Sequence, residues 1–138
     1  MIHKLTFLSE AYADPASNEG LGMPEGHRGP LPPGRALAVK LARALEAQGW
    51  EVLAHWASDY SHAFEARGGG RFDVMVTCLD AKTGSWEITV ETRTGLFRWL
   101  RREDPAALQR LACDVQALLA ADPEIADLHC GNSAATST

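Results

Sequence analysis

The stretch WEVLAHWASDYSHAFEARGGGRFDVMVTCLDAKTGSWEITVET, residues 50–92, decides the fold. Its apolar residues recur at every second position, the period of a strand with one buried face. Trp50, Val52, Ala54 and Trp56 alternate with Glu51, Leu53, His55 and Ala57. Tyr60, His62, Phe64 and Ala66 alternate with Ser61, Ala63, Glu65 and Arg67. Phe72, Val74, Val76 and Cys78 alternate with Asp73, Met75, Thr77 and Leu79, and Trp86, Ile88 and Val90 alternate with Glu87, Thr89 and Glu91. Gly68-Gly69-Gly70 and Asp80-Ala81-Lys82-Thr83-Gly84 are turns between these runs. Short alternating runs joined by short glycine-containing loops predict antiparallel hairpins, here a four-stranded meander.

On either side the period changes to 3.6. Leu37, Leu41, Ala44, Leu45 and Gln48 share one face of a helix predicted over 34–48, with Gly49 at its end. Asp104-Pro105 is a helix start, and Leu108, Leu111, Ala112, Val115, Leu118 and Leu119 form an apolar stripe to about 121. The architecture expected is a two-layer α+β sandwich. A roughly four-stranded antiparallel meander carries two amphipathic helices on the face bearing Trp50, Val52, Trp56, Phe64, Phe72, Val74, Val76, Trp86, Ile88 and Val90. Residues 2–8 and 124–130 can each add a short strand. Residues 9–34 hold most of the prolines and many glycines and read as one long loop, of a length that is often functional. Residues 131–138 are small and polar, a tail expected to fray.

Length and composition bound the rest. The chain has 138 residues, one domain's worth, enough to build a core without metal or disulfide staples. The net charge of −5 argues against a general nucleic-acid binder, which needs a basic footprint. Three cysteines, an odd number with no C-x-x-C, fit a reducing compartment. The first apolar stretch is too short and interrupted for a signal peptide, and no run approaches a bilayer span, so the expected location is cytoplasmic, without membrane contact.

Candidate chemistry is sparse. His55, Asp59, Tyr60 and His62, with Ser58, Ser61 and Glu65, form the densest reactive cluster. Serine, histidine and aspartate are the ingredients of nucleophilic catalysis, but these spacings match no catalytic signature. His62 lies on the expected core face, where a hydrogen-bonded histidine is the stronger reading. His27, Cys78, Cys113, His129 and Cys130 make no metal-ligand spacing, and Cys78 and Cys113 read as small buried hydrophobes. No metal or cofactor is expected. The three glycines between two strands read as a hairpin turn, because a phosphate loop needs a helix after it. Pro30-Leu31-Pro32-Pro33-Gly34-Arg35 fits a polyproline ligand pattern, but reads better as the lead-in to the first helix.

Two helices cover one face of the sheet and leave the other open. On that open face Leu53, His55, Met75, Thr77, Leu79, Glu87 and Thr89 are the candidate binding residues, an apolar centre with an acidic rim. The function expected is a non-catalytic protein-binding or accessory module, with a protein partner or a second copy of itself. One alternative is a small enzyme or ligand binder with a pocket near His55–His62 and the 9–34 segment. Another is a single-stranded nucleic-acid binder through Arg93, Arg98, Arg101 and Arg102, interleaved with Phe97 and Trp99. The pattern Gly49-Trp50-Glu51-Val52, Asp59-Tyr60 and Trp86-x-Ile88-x-Val90 resembles small bacterial α+β proteins, some of them taken for immunity or accessory factors. The resemblance covers the central sheet and assigns no residue a role.

Overall fold

A computed structural model describes residues 2–21, 31–93 and 105–132. Its strands are β1 (Ile2–Leu8), β2 (Glu51–Ala57), β3 (Ser61–Arg67), β4 (Arg71–Asp80), β5 (Ser85–Thr92) and β6 (Ala126–Asn132). Its helices are α1 (Glu10–Ala13), α2 (Arg35–Ala47) and α3 (Pro105–Ala120), with a 3-10 turn at Pro15–Asn18. The α+β class and the antiparallel meander β2–β5 are as the alternation predicts. The sheet is larger than four strands. Its order is β2-β3-β4-β5-β1-β6, with β1 antiparallel to both β5 and β6. Residues 9–21, expected as bare loop, instead hold α1 and the 3-10 turn. Ser9 accepts from the Tyr12 amide and Asp14 from the Ala16 amide, so two side-chain caps organise a segment too proline-rich for longer helix.

β1 belongs inside the sheet because both its faces are usable. His3, Leu5 and Phe7 are buried, and Phe7 lies opposite Trp86 with the rings stacked at 6.2 Å. The Trp86 indole N–H donates to the Ser9 carbonyl at 2.9 Å, which satisfies the polar edge of a fully buried ring.

The helices pack on the face that carries Phe64, Phe72, Val74, Val76, Trp86, Ile88 and Val90, all fully buried. α2 contributes Leu37, Leu41 and Leu45, and α3 contributes Leu108, Leu111, Val115 and Leu119. Each such side chain stabilises the fold by about 1.5–3 kcal/mol. Gln48, assigned to the apolar stripe, is exposed, because α2 ends at Ala47. The segment before α2 docks as a helix lead-in. His62 Nε2 donates to the Pro32 carbonyl at 2.8 Å, and Gly34 has φ 118°, so any added Cβ would sit 3.0 Å from the Trp86 ring.

The two edge strands share a device. On β2, Ala54 and His55 together oppose Phe64, since Leu53 pairs with Glu65 and Trp56 with Ala63. On β6, Asp127 and Leu128 together oppose Phe7 in the same way. Ala54 has φ 51° and Asp127 φ 53°, the two non-glycine residues with positive φ among those described. Each is a β-bulge that twists an edge and makes it a poorer template for another strand.

The bulge on β2 reverses its alternation. Val52 faces the helices and Leu53 the open side, but beyond Ala54 it is His55 that faces the helices and Trp56 that faces the open side. The two assignments made from strict alternation, Trp56 to the core and His55 to the open face, are therefore exchanged. Cys113, expected to be buried, is exposed, as is Cys130.

Three further side chains tie the helical layer together. Tyr12 donates to Asp122 Oδ2 at 2.5 Å, while Lys40 donates to the same oxygen at 2.8 Å and to the Tyr12 oxygen at 3.0 Å. The network joins α1, α2 and the turn after α3 through a buried carboxylate. Burial pushes Asp122 up, but the hydrogen bonds from Lys40 and Tyr12 outweigh it and hold the carboxyl below its ordinary value. Among the described residues no helix is long and apolar enough to cross a membrane.

Candidate functional site

Cross-strand partners share a face, so the register defines the helix-free surface row by row. One row runs Leu53, Glu65, Asp73, Glu91, Ile2, and the next runs Trp56, Ala63, Met75, Thr89, Lys4. A third runs Ser61, Thr77, Glu87, Thr6, His129. No helix among the described residues packs on these rows, yet they are unevenly exposed.

The first row is closed by charge. Glu65 is 2% exposed although it stands on the open face. Arg67 donates to it at 2.6 Å, Arg71 at 2.8 Å and 3.2 Å, and Arg93 makes a further short contact. The Arg71 hydrogen bonds first, then Arg67 and the charge of Arg93, hold the Glu65 carboxyl at about 2 despite its burial. Arg93 also lies 5.6 Å over the Trp56 ring, and Ala63 directly opposite Trp56 is 2% exposed. This half of the face is a closed plate of three arginines, one buried glutamate and one tryptophan.

The opposite end is apolar and open. Three large hydrophobic residues are exposed among those described: Tyr60 at 75%, Leu79 at 57% and Leu8 at 39%. The register brings all three to one end of the sheet. Ser61, next to Tyr60, pairs with Thr77, two residues before Leu79, and Ser85 pairs with both Asp80 and Leu8. Leu8 follows the inward Phe7 and pairs with Ser85, which puts it on the helix-free side, while Leu79 is the extra residue of a third bulge, between Cys78 opposite Trp86 and Asp80 opposite Ser85. Met75, Thr77, Thr89 and Glu87 lie between this end and the charged plate, each half-buried.

Of the expected binding residues, Leu53, Met75, Thr77, Glu87 and Thr89 thus lie on one surface, Leu79 stands in the bulge at its end, and His55 lies on the other side of the sheet. The four candidate catalytic side chains do not converge. His55 packs on Phe64 with ring centres 5.6 Å apart, and His62 is buried against Pro32. Asp59 and Tyr60 are exposed in the β2–β3 turn. Ser61, also in that cluster, shares a hydrogen bond with Thr77 at 2.7 Å. No group of three or more histidine, cysteine or acidic side chains that could hold a metal occurs among the described residues. Gly68–Gly70 forms the β3–β4 hairpin turn, capped by Arg110, which donates to the Gly68 carbonyl at 2.9 Å. The basic-aromatic run Phe97–Arg102 and the candidate ligand His27 lie outside the described residues.

Sequence reasoning missed Trp56, Tyr60 as a surface anchor, Leu8 and the arginine cradle of Glu65. The cradle had a signal, a glutamate among strand arginines at 67, 71 and 93, but only the register brings them together. No protein-family model matches the sequence, and no curated protein and no solved structure matches it either.

Proposed function

We propose that the chain is a non-catalytic protein-binding module whose docking surface is the apolar end of the helix-free sheet face. It acts in the cytoplasm and first pairs there with a second copy of itself. The observation that supports this reading is the gathering of Leu8, Tyr60 and Leu79, from three separate points of the chain, at one end of the sheet. Leaving three large apolar residues in water together forfeits several kcal/mol of burial, and such patches are a feature of interaction sites. The surface is a flat run of strands, and the cavities found among the described residues lie on the helical side. An apolar patch with Asp59, Asp80 and Lys82 at its rim suits an isologous contact, in which the same patch serves both partners. In the neighbouring plate Arg67, Arg71 and Arg93 are all tied to Glu65, which makes it a rigid platform beside the patch.

The separation of His55, Asp59, Tyr60 and His62 supports a binding role over a hydrolytic one, because nucleophile and base must lie within hydrogen-bond reach. The test is capture of an untagged copy by a tagged copy of the same chain. Capture is expected for the natural sequence and lost in Leu79→Glu. Equal capture by both, or by neither, would contradict the reading.

A further inference from the structure

On the opposite side of the sheet, a cavity of about 250 Å³ lies between the outer face of α2, the bend at Gly20–Leu21 and the bulge of β2. Arg35, Val39, Ala42, Arg43 and Glu46 line it from α2, at helical spacings that put them on one face. His55 lines it from β2, turned there by the two-residue bulge at Ala54.

The chemistry of this cavity is unbalanced. Among the described residues neither the Arg35 nor the Arg43 side chain has an ion pair or hydrogen bond, in a protein where Arg67, Arg71 and Arg93 are all paired. Arg35 Nε and His55 Nδ1 are buried and have no hydrogen-bond partner. Buried donors without partners cost about 1–3 kcal/mol each, and such groups call for an explanation. Glu46 is the single acid of the lining and bonds neither guanidinium. Two guanidinium groups against one carboxylate leave the site net positive in a chain whose overall charge is −5.

We propose that this cavity binds a small oxyanion, a carboxylate or phosphate group, between Arg35 and Arg43 with His55 at its floor. A guanidinium offers a planar fork of donors that matches such an anion in two-point geometry, and desolvation strengthens the pairing. Burial first, then the Arg35 charge, push the His55 imidazole below its ordinary value, with Glu46 opposing. The ring is therefore neutral near pH 7, and its Nδ1–H tautomer completes the donor set without adding charge. Val39 and Ala42 supply an apolar wall for the remainder of an organic acid. The volume suits an anionic group of a few heavy atoms. This inference stands apart from the open-face docking surface and shares no residue with it.

The test is titration of the full chain with sodium succinate and, separately, sodium phosphate at constant ionic strength. Calorimetry gives the affinity, and the imidazole NMR signals of His55 give the location. Saturable one-to-one binding is expected for at least one of the two, and the stronger one identifies the oxyanion class. Arg35→Gln and Arg43→Gln should each weaken binding about tenfold or more, the loss of one charge-assisted pair. Glu46→Gln should tighten it by removing the competing charge, and Lys82→Gln, in the remote β4–β5 turn, should leave it unchanged. Arg43 is exposed on α2, so its variant remains informative even where Arg35→Gln impairs folding. Absence of binding by both anions at millimolar concentration, or affinities equal across all four variants, would overturn the assignment.

Discussion

Trp56 stands directly opposite Ala63, on the face of the sheet that carries no helix, because Ala54 two residues earlier adopts φ 51°. That one backbone angle turns Trp56 outward to cover Ala63 and meet Arg93, and turns His55 inward toward α2. The cavity proposal depends on this exchange, since it is His55 that lines the cavity.

The strain at Ala54 is measurable. A non-glycine residue in the left-handed region costs about 1–2 kcal/mol, partly offset by the greater chain entropy of glycine. Ala54→Gly should therefore raise stability by up to about 1 kcal/mol in urea unfolding, and Ala54→Val should lower it by about 1–2 kcal/mol. Equal midpoints for all three would mean that the bulge is absent.

Glu65 gives a pH signature. Its carboxyl is held at about 2, below the ordinary 4.5, so the fold favours the ionised form. Its contribution is complete above pH 4.5 and is lost as the pH falls toward 2. Glu65→Gln should cost about 1–3 kcal/mol near pH 7, and the gap from the natural sequence should narrow steadily below pH 4.5. A gap independent of pH would contradict the cradle.

The Tyr12–Asp122–Lys40 network should behave as one unit. Tyr12→Phe removes a hydrogen bond to a buried carboxylate and should cost about 1–2 kcal/mol. Combined with Lys40→Met, it should show a coupling above about 0.5 kcal/mol in a double-mutant cycle. Simple additivity would mean that the three groups do not share the contact.

Much of this fold is legible in the sequence, and the exceptions have physical reasons. The meander, α2 and α3 follow from periodicity because one face of each element is buried by many residues at once. β1 and β6 are weaker signals, since their pairing spans the whole chain and no local turn announces it. The position of β1 between β5 and β6 follows from His3, Leu5 and Phe7 being needed in the core. The bulge at Ala54 was illegible because alanine carries no mark of a positive φ where glycine or asparagine would. The error spread from there to His55 and Trp56 and so to the candidate site. Met75 and Thr77 on β4 needed no such correction, because that strand keeps its alternation as far as Cys78; Leu79 stands in the break that follows. The gathering of Leu8, Tyr60 and Leu79 needs the register of four strands, which composition does not supply.

The most direct test of the docking surface is the mass of the chain in solution, by size-exclusion chromatography with light scattering, over a wide concentration range. The account predicts a concentration-dependent shift from monomer to dimer, abolished by Leu79→Glu with unfolding stability changed by less than about 0.5 kcal/mol. A monomer at every concentration, or a dimer that survives Leu79→Glu, would contradict it.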